Sequence, residues 1–128
     1  MGANNEAVFE QQYMIPVELT AAAGVSVTTT PAEQIGSFPF VWEKLGAQWD
    51  ESKGDWSIRI IDSGADLAFM PKRVKVESLV STSRRPWQLD HPHTFGAGSA
   101  IMVEATNNGT DADTLHLTFI GKRLPQRF

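Results

Sequence analysis

The sequence predicts an all-β fold, a jelly-roll-like antiparallel β-sandwich of seven to eight strands. Apolar residues in most of the chain recur with a period of two, as they do in strands, and not with the 3.6-residue period of helices. Turn-forming stretches rich in Gly, Asn, Asp and Ser separate these runs, and no segment has a convincing helical pattern. Short strands at regular spacing favour a sandwich over a closed barrel.

In the first half of the chain, the alternation begins at Tyr13 and continues to Leu19. Pro16 interrupts this run and cannot donate a ladder hydrogen bond, so we expect the strand to lie at a sheet edge. The stretch "GVSVTTT" is a second β-rich run, after a turn of small residues. The aromatic stretch that follows should place four side chains in the core or on a sheet face: Phe40, Trp42, Leu45 and Trp49.

In the second half, further strands are predicted at residues 56–60, 74–80, 101–105 and 115–119. The stretch "DSGADL" is predicted as a turn in which Asp62 and Ser63 are able to bond nearby backbone and Gly64 is free to take a positive φ. The stretch "NNGTDAD" contains an Asn-Gly pair, a strong signal for a tight turn. We therefore expect the last two strands to form a hairpin.

A chain of 128 residues is long enough to bury a core and fits one domain. Residues 1–12 show little periodicity and are predicted to form a short extended N-terminal arm, with Val8 and Phe9 as its apolar anchors. Residues 13–128 are predicted to form the single β-sandwich domain. Such an arm suits contacts with neighbouring subunits.

Composition excludes several classes of protein. The formal net charge of −4 argues against a nucleic-acid-binding surface, and Arg84-Arg85 is too small a basic cluster to reverse this. With no cysteine, neither disulfides nor thiolate metal sites are possible. No apolar run reaches the roughly 18 residues of a membrane span, and the first residues lack a secretion signal, so we expect the chain to fold and assemble inside a cell.

The segment "PWQLDHPHTFGAGSA", residues 86–100, raises the possibility of a metal site, because His91 and His93 flank Pro92 beside Asp90. A cupin-type site needs a Glu three or four residues later and a third imidazole on another strand. The next Glu is Glu104, and His116 lies on the opposite face of its strand from the predicted core residues. We therefore predict no catalytic metal and interpret the segment as a structural turn.

Other candidate sites are weaker. A Ser-His-Asp triad could be drawn from many residues of the chain, but no nucleophile-elbow motif accompanies it. A sugar-binding module would need a row of exposed aromatic rings, and Trp42, Trp49, Trp56 and Trp87 are better explained as core and sheet-face residues. The residues thus predict neither an active site nor a bound cofactor.

Several segments in order resemble a family of small β-sandwich virion proteins of tailed bacteriophages. They are "YMIPVELTAAAG", an aromatic strand, "WSIRIIDSGADLAFMPKRVKVESL", "RRPWQLDHPHTFGAGSAIMVEATNN" and "LHLTFIGKRL", which together extend from Tyr13 to Leu124. Recognisable features are an Asp-Ser-Gly at a strand end, the spacing of Pro86, Leu89 and Pro92, and a closing Gly-basic-basic-Leu. This chain departs from the family where Ser83-Arg84-Arg85 replaces an expected apolar turn.

The resemblance implies a non-enzymatic structural subunit of a virion, assembled in the host cytoplasm, with no cofactor. We expect it to act as a capsid cement or decoration protein, with the neck or tail as the alternative location. Its expected partners are the major capsid protein and copies of itself in a homo-oligomer, with no direct nucleic-acid or membrane contact. The residues expected at protein interfaces are Val8, Phe9, Arg84, Arg85, Lys122, Arg123 and Arg127.

Overall fold

The computed structural model describes residues 11–29, 33–80 and 85–124. Over these ranges the chain forms strands and one short helix, which confirms the predicted all-β sandwich. The elements are β1 (Gln11–Ala21), β2 (Ser26–Thr28), β3 (Glu33–Gln34), β4 (Phe40–Gln48), β5 (Trp56–Asp62), β6 (Leu67–Ala68), β7 (Val74–Lys75), α1 (Val76–Val80), β8 (Trp87–Phe95), β9 (Ala100–Asn107) and β10 (Asp113–Arg123). These ten strands exceed the predicted seven to eight because β3, β6 and β7 have only two residues each.

The strands pack in two antiparallel sheets. The first has the order β1-β10-β4-β8, and the second has the order β2-β9-β5-β6, with β3 also on β9 and β7 also on β5. The pairs are nested along the chain, because β1 pairs with β10, β2 with β9, β4 with β8, and β5 with β6 and β7. A long antiparallel ribbon rolled up in this way is a jelly roll, as the sequence predicts.

The prediction that the last two strands form a hairpin is wrong. β9 belongs to the second sheet and β10 to the first, so the intervening residues cross from one sheet to the other. Asn107 organises the crossing from a fully buried position at the end of β9. Its Nδ2 donates to the carbonyls of Ala21 and Asp111 at 3.1 and 2.9 Å, and its Oδ1 accepts from the Gly109 amide at 2.8 Å.

The segment predicted as one strand from Val74 to Val80 divides into two elements. Only Val74 and Lys75 pair with β5, and the chain then turns into α1. Val76 and Val80 are buried and lie one helical turn apart, so one face of α1 covers the core. Within the described residues, no helix has the length and apolar character needed to cross a membrane.

The core lies between the two sheets and is rich in aromatic side chains. Phe40, Trp42, Leu45 and Trp49 are all buried, as predicted. Trp42 is fully enclosed, with the rings of Phe119 and Phe69 at centroid distances of 5.0 and 5.1 Å. Its indole N–H donates to the Lys44 carbonyl at 2.7 Å, so this polar group is satisfied inside the core.

The strand that contains Pro16 lies at the edge of the first sheet among the described strands, as predicted. Ile15, Val17 and Leu19 face the core, and the intervening side chains are exposed. β1 begins at Gln11, which pairs with Arg123, so its ladder extends two residues into the stretch assigned to the arm. Residues 1–10 lie outside the described residues.

Candidate functional site

The segment with two histidines is a strand and not the turn expected from its sequence. Trp87–Phe95 forms β8, and the turn comes after it, at residues 96–99. Trp42 pairs with His93 and Lys44 with Gln88, so the single residue Glu43 faces the four residues 89–92. This bulge accommodates Pro92 within the strand, because a bulged residue is not required to donate to the ladder.

The three histidines do not converge on one point. His116 is exposed on β10, where its Nδ1 lies 3.7 Å from Oε2 of Glu18 on β1. His91 is exposed on β8, whereas His93 is partly buried on the same strand. Among the residues that the structure describes, no three His, Asp or Glu side chains are grouped so as to hold a metal ion.

His93 belongs to a cluster around the buried carboxylate of Asp62. The Asp62 side chain is 2% exposed, and its Oδ2 lies 2.7 Å from Nε2 of His93. Its Oδ1 accepts from the Ser99 hydroxyl at 2.6 Å and from the backbone amides of Gly64 and Ala65 at 3.0 and 3.2 Å. The rings of Phe69 and Phe95 lie nearly perpendicular to the imidazole, at centroid distances of 4.7 and 4.8 Å. We call Asp62, His93 and Ser99 the Asp62 cluster.

The Asp62 cluster joins separate parts of the jelly roll. Asp62 is the last residue of β5 in the second sheet, His93 lies on β8 in the first, and Ser99 ends the turn before β9. The cluster therefore ties the two sheets together at one end of the sandwich. An ionised carboxylate can only accept hydrogen bonds, so His93 carries a proton on Nε2.

Hydrogen bonds determine the charge state of Asp62. Burial by itself would raise the pKa of this carboxyl group, because it penalises the charged form. Hydrogen bonds from Ser99, His93 and Ala65, together with the charge of His93 when protonated, outweigh this effect and lower the pKa of Asp62 below its usual value. Asp62 is therefore ionised at neutral pH.

The turn after β5 brings the backbone amides to Asp62, but not in the conformation expected. Asp62 bonds the following backbone as predicted, whereas Asp66, and not Gly64, has a positive φ, at 51°. Gly64 is required for a different reason: a Cβ at this position would collide with the Ser99 side chain. The absence of a side chain at residue 64 lets Ser99 reach the carboxylate.

The order of groups in the Asp62 cluster is not that of a Ser-His-Asp triad. In a triad, the imidazole lies between the hydroxyl and the carboxylate so that it can take the proton of the nucleophile. Here the carboxylate lies between Ser99 and His93, and the hydroxyl donates to it directly. The cluster is arranged to hold a buried charge and to connect the sheets.

A signal for the Asp62 cluster is present in the sequence. Trp56, Ile58 and Ile60 face the core, and the same alternation places Asp62 inward. A charged residue on a core-facing position needs hydrogen-bonding partners. The alternation gives no indication of which partners these are, because His93 and Ser99 lie 31 and 37 positions further along the chain.

A second feature is a partly open pocket of ≈ 260 Å³ beside the edge strand β1. Its lining includes the apolar side chains of Tyr13, Met14, Ile35 and Phe38, and the basic residue Arg123. Tyr13 and Met14 are exposed at 38% and 53%. We call this feature the β1 pocket.

The residues expected at interfaces are only partly within the described ranges. Val8, Phe9, Arg84 and Arg127 lie outside them. Arg85 is exposed just before β8. Lys122 lies 3.7 Å from Glu43 across the strand pair β10–β4, and Arg123 lies over the rings of Tyr13 and Phe38. The structure thus brings Arg123 to the β1 pocket and leaves Arg85 at a separate site.

The four tryptophans do not form the exposed row of rings that sugar stacking requires. Trp42, Trp49 and Trp56 are buried, and Trp87 is half-buried against Trp42. No protein-family model and no curated protein sequence matches this chain.

Proposed function

We propose that this chain is a non-enzymatic structural subunit of a tailed-bacteriophage virion and that it cements the capsid shell through contacts between subunits. The proposal combines the order of sequence segments that resembles small phage virion proteins with a jelly-roll sandwich. Its partners would be the major capsid protein and further copies of this chain. Its site of action would be the virion, assembled in the host cytoplasm.

The observation that carries the proposal is the apolar edge of the first sheet. Tyr13 and Met14 are exposed on β1 next to the β1 pocket. Large apolar side chains grouped at a sheet edge and pocket are typical of surfaces that contact other proteins. Pro16 and the exposed Glu18 on the same strand disfavour open-ended strand addition, so the edge is suited to side-chain contacts of defined register.

The Asp62 cluster supports a structural role in a different way. Its side chains hydrogen-bond to one another and join the two sheets. A subunit that bears load between its neighbours benefits from such a connection, because the sheets then resist separation as a unit. The serine is not bonded to the imidazole, so this arrangement favours no nucleophilic chemistry.

The experiment that tests the proposal is deletion of the gene from a phage that encodes the protein, with complementation in trans as the control. Particles without the protein should assemble but release DNA at lower temperature and on dilution into low salt. Complementation should restore their resistance. Particles of normal shell stability that lack tails or fail to attach would instead favour the neck or tail, and intact infectious particles would contradict a structural role.

A further inference from the structure

The β1 pocket combines an apolar lining with a cationic side chain. Among the described lining residues, Arg123 is the one that carries a charge. Its Cζ lies 4.8 Å from the ring centroid of Tyr13 and 5.2 Å from that of Phe38. A guanidinium carries five N–H donors in its plane and can serve more than one acceptor. The pocket is therefore suited to an apolar side chain with an acidic neighbour.

A segment of this chemistry precedes β1 in the sequence. Residues 6–10 read Glu-Ala-Val-Phe-Glu, so two apolar side chains, Val8 and Phe9, lie between Glu6 and Glu10. We propose that Val8 and Phe9 of one copy dock in the β1 pocket of a second copy, with the flanking carboxylates near Arg123. This inference rests on the proposed function, since it requires copies of the chain to lie side by side.

The pairing of β1 favours a second copy as the partner. Gln11 and Gln12 are held in the ladder opposite Arg123 and Lys122, so only Glu10 separates Phe9 from the paired strand. The pocket lining continues along β1 to Pro16, away from the residues that precede Gln11. A chain reversal needs a turn of about four residues. Docking of Phe9 at Met14 and Pro16 of its own strand would need such a reversal, whereas docking on a second copy needs none.

The size of the pocket agrees with a side-chain ligand. A volume of ≈ 260 Å³ is below the range of about 300–1,000 Å³ that is usual for small-molecule sites, and it suits one or two apolar side chains. The proposed contact joins different surfaces of two copies, the segment of one and the pocket of the next. Such a head-to-tail contact produces a closed ring where the rotation closes and an open chain where it does not.

The first test is sedimentation of the purified 128-residue chain at protein concentrations up to about 1 mM. This upper limit is of the order of the effective concentration that a short flexible linker gives to two binding partners. The wild-type protein should self-associate. Phe9→Ala and Arg123→Gln should each raise the dissociation constant about tenfold or more. The matched controls are Leu67→Ala, at a residue 44% exposed on the other sheet, and Arg73→Gln, at a side chain 40% exposed near Glu104. Both controls should associate as the wild type does.

A charge exchange separates loss of docking from loss of folding. Glu6→Lys with Glu10→Lys in one preparation, and Arg123→Glu in another, should each weaken self-association, while a mixture of the two should associate again. A wild-type chain that stays monomeric to 1 mM, or variants that associate like the controls, would overturn the inference. These measurements need no particle, so docking can fail while gene deletion still weakens the capsid, and the two proposals are tested separately.

Discussion

Asp62 of β5 and His93 of β8 connect the two sheets of the sandwich through a contact of 2.7 Å between Oδ2 and Nε2. The carboxylate is buried and the imidazole is 20% exposed, so the connection lies at the boundary between core and solvent. Ser99 satisfies the second carboxylate oxygen from the turn before β9. One carboxylate thus joins three segments of the chain that are distant in sequence.

Substitutions in the Asp62 cluster should destabilise the fold in a defined order. Asp62→Ala removes the acceptor of four hydrogen bonds and should lower the free energy of unfolding by about 3 kcal/mol or more. His93→Ala and Ser99→Ala each leave one carboxylate oxygen with fewer donors and should cost about 1–3 kcal/mol. Urea unfolding measures all three. His116→Ala is the control, because its exposed pair with Glu18 should contribute less than about 1 kcal/mol.

The stability of the protein should depend on pH through Asp62. Its pKa is lowered in the folded state, so the unfolded chain, with a pKa of about 3.9, binds the proton more readily. The stabilisation is present above the unfolded pKa and is lost as pH falls through the folded pKa. Unfolding free energies of the wild type should therefore decline below about pH 4, more steeply than those of Asp62→Asn. Parallel pH profiles for the two proteins would show that Asp62 contributes no such linkage.

Gly64→Ala should be strongly destabilising although Gly64 is exposed and has no positive φ. The new Cβ would collide with the Ser99 side chain and displace it from Asp62. We expect a loss of about 2 kcal/mol, measured by thermal or urea unfolding, from overpacking and the broken hydrogen bond. Gly96→Ala is the matched control, because a Cβ at Gly96 meets no atom within 4 Å. Equal stability of the two variants would contradict the close packing of Gly64 on Ser99.

The sequence was sufficient to predict most of the longer strands and their buried faces, but it missed β8 and did not identify the partners of each strand. The alternation in residues 56–60 correctly identifies the core face of β5, because burial on one face is a local property of a strand. β9 and β10 show the same alternation, yet they face the core from opposite sheets. The pattern does not distinguish a hairpin within one sheet from a crossing between two.

Two further differences have the same physical origin. Val74 and Val76 are spaced as in a strand, whereas Val76 and Val80 are spaced as in a helix, and contact with the core decides that the helix forms from Val76 onward. The contact between His93 and Asp62 depends on how the two sheets pack against each other, and no local sequence pattern encodes this packing. The sequence could indicate that Asp62 needed partners, but it could not name them.

Asn107 offers a test of the crossing that replaces the predicted hairpin. Its amide connects the end of β9 to the carbonyls of Ala21 and Asp111, and its carbonyl accepts from the amides of Gly109 and Asp55. Asn107→Ala would remove four hydrogen bonds to the backbone, of which the one to Ala21 is buried and the other three are part-buried, and should lower the unfolding free energy by about 2–3 kcal/mol. The neighbouring Asn108→Ala removes one exposed contact with Ser57 and should cost less than about 1 kcal/mol.

Hydrogen exchange tests whether the effect of Asn107 is confined to the crossing. Asn107→Ala should lower protection at Gly24, whose amide donates to the Asn107 carbonyl at 2.7 Å, while the pairing of β4 with β8 stays protected. Uniform loss of protection in both sheets would instead indicate that Asn107 stabilises the whole sandwich and not the crossing.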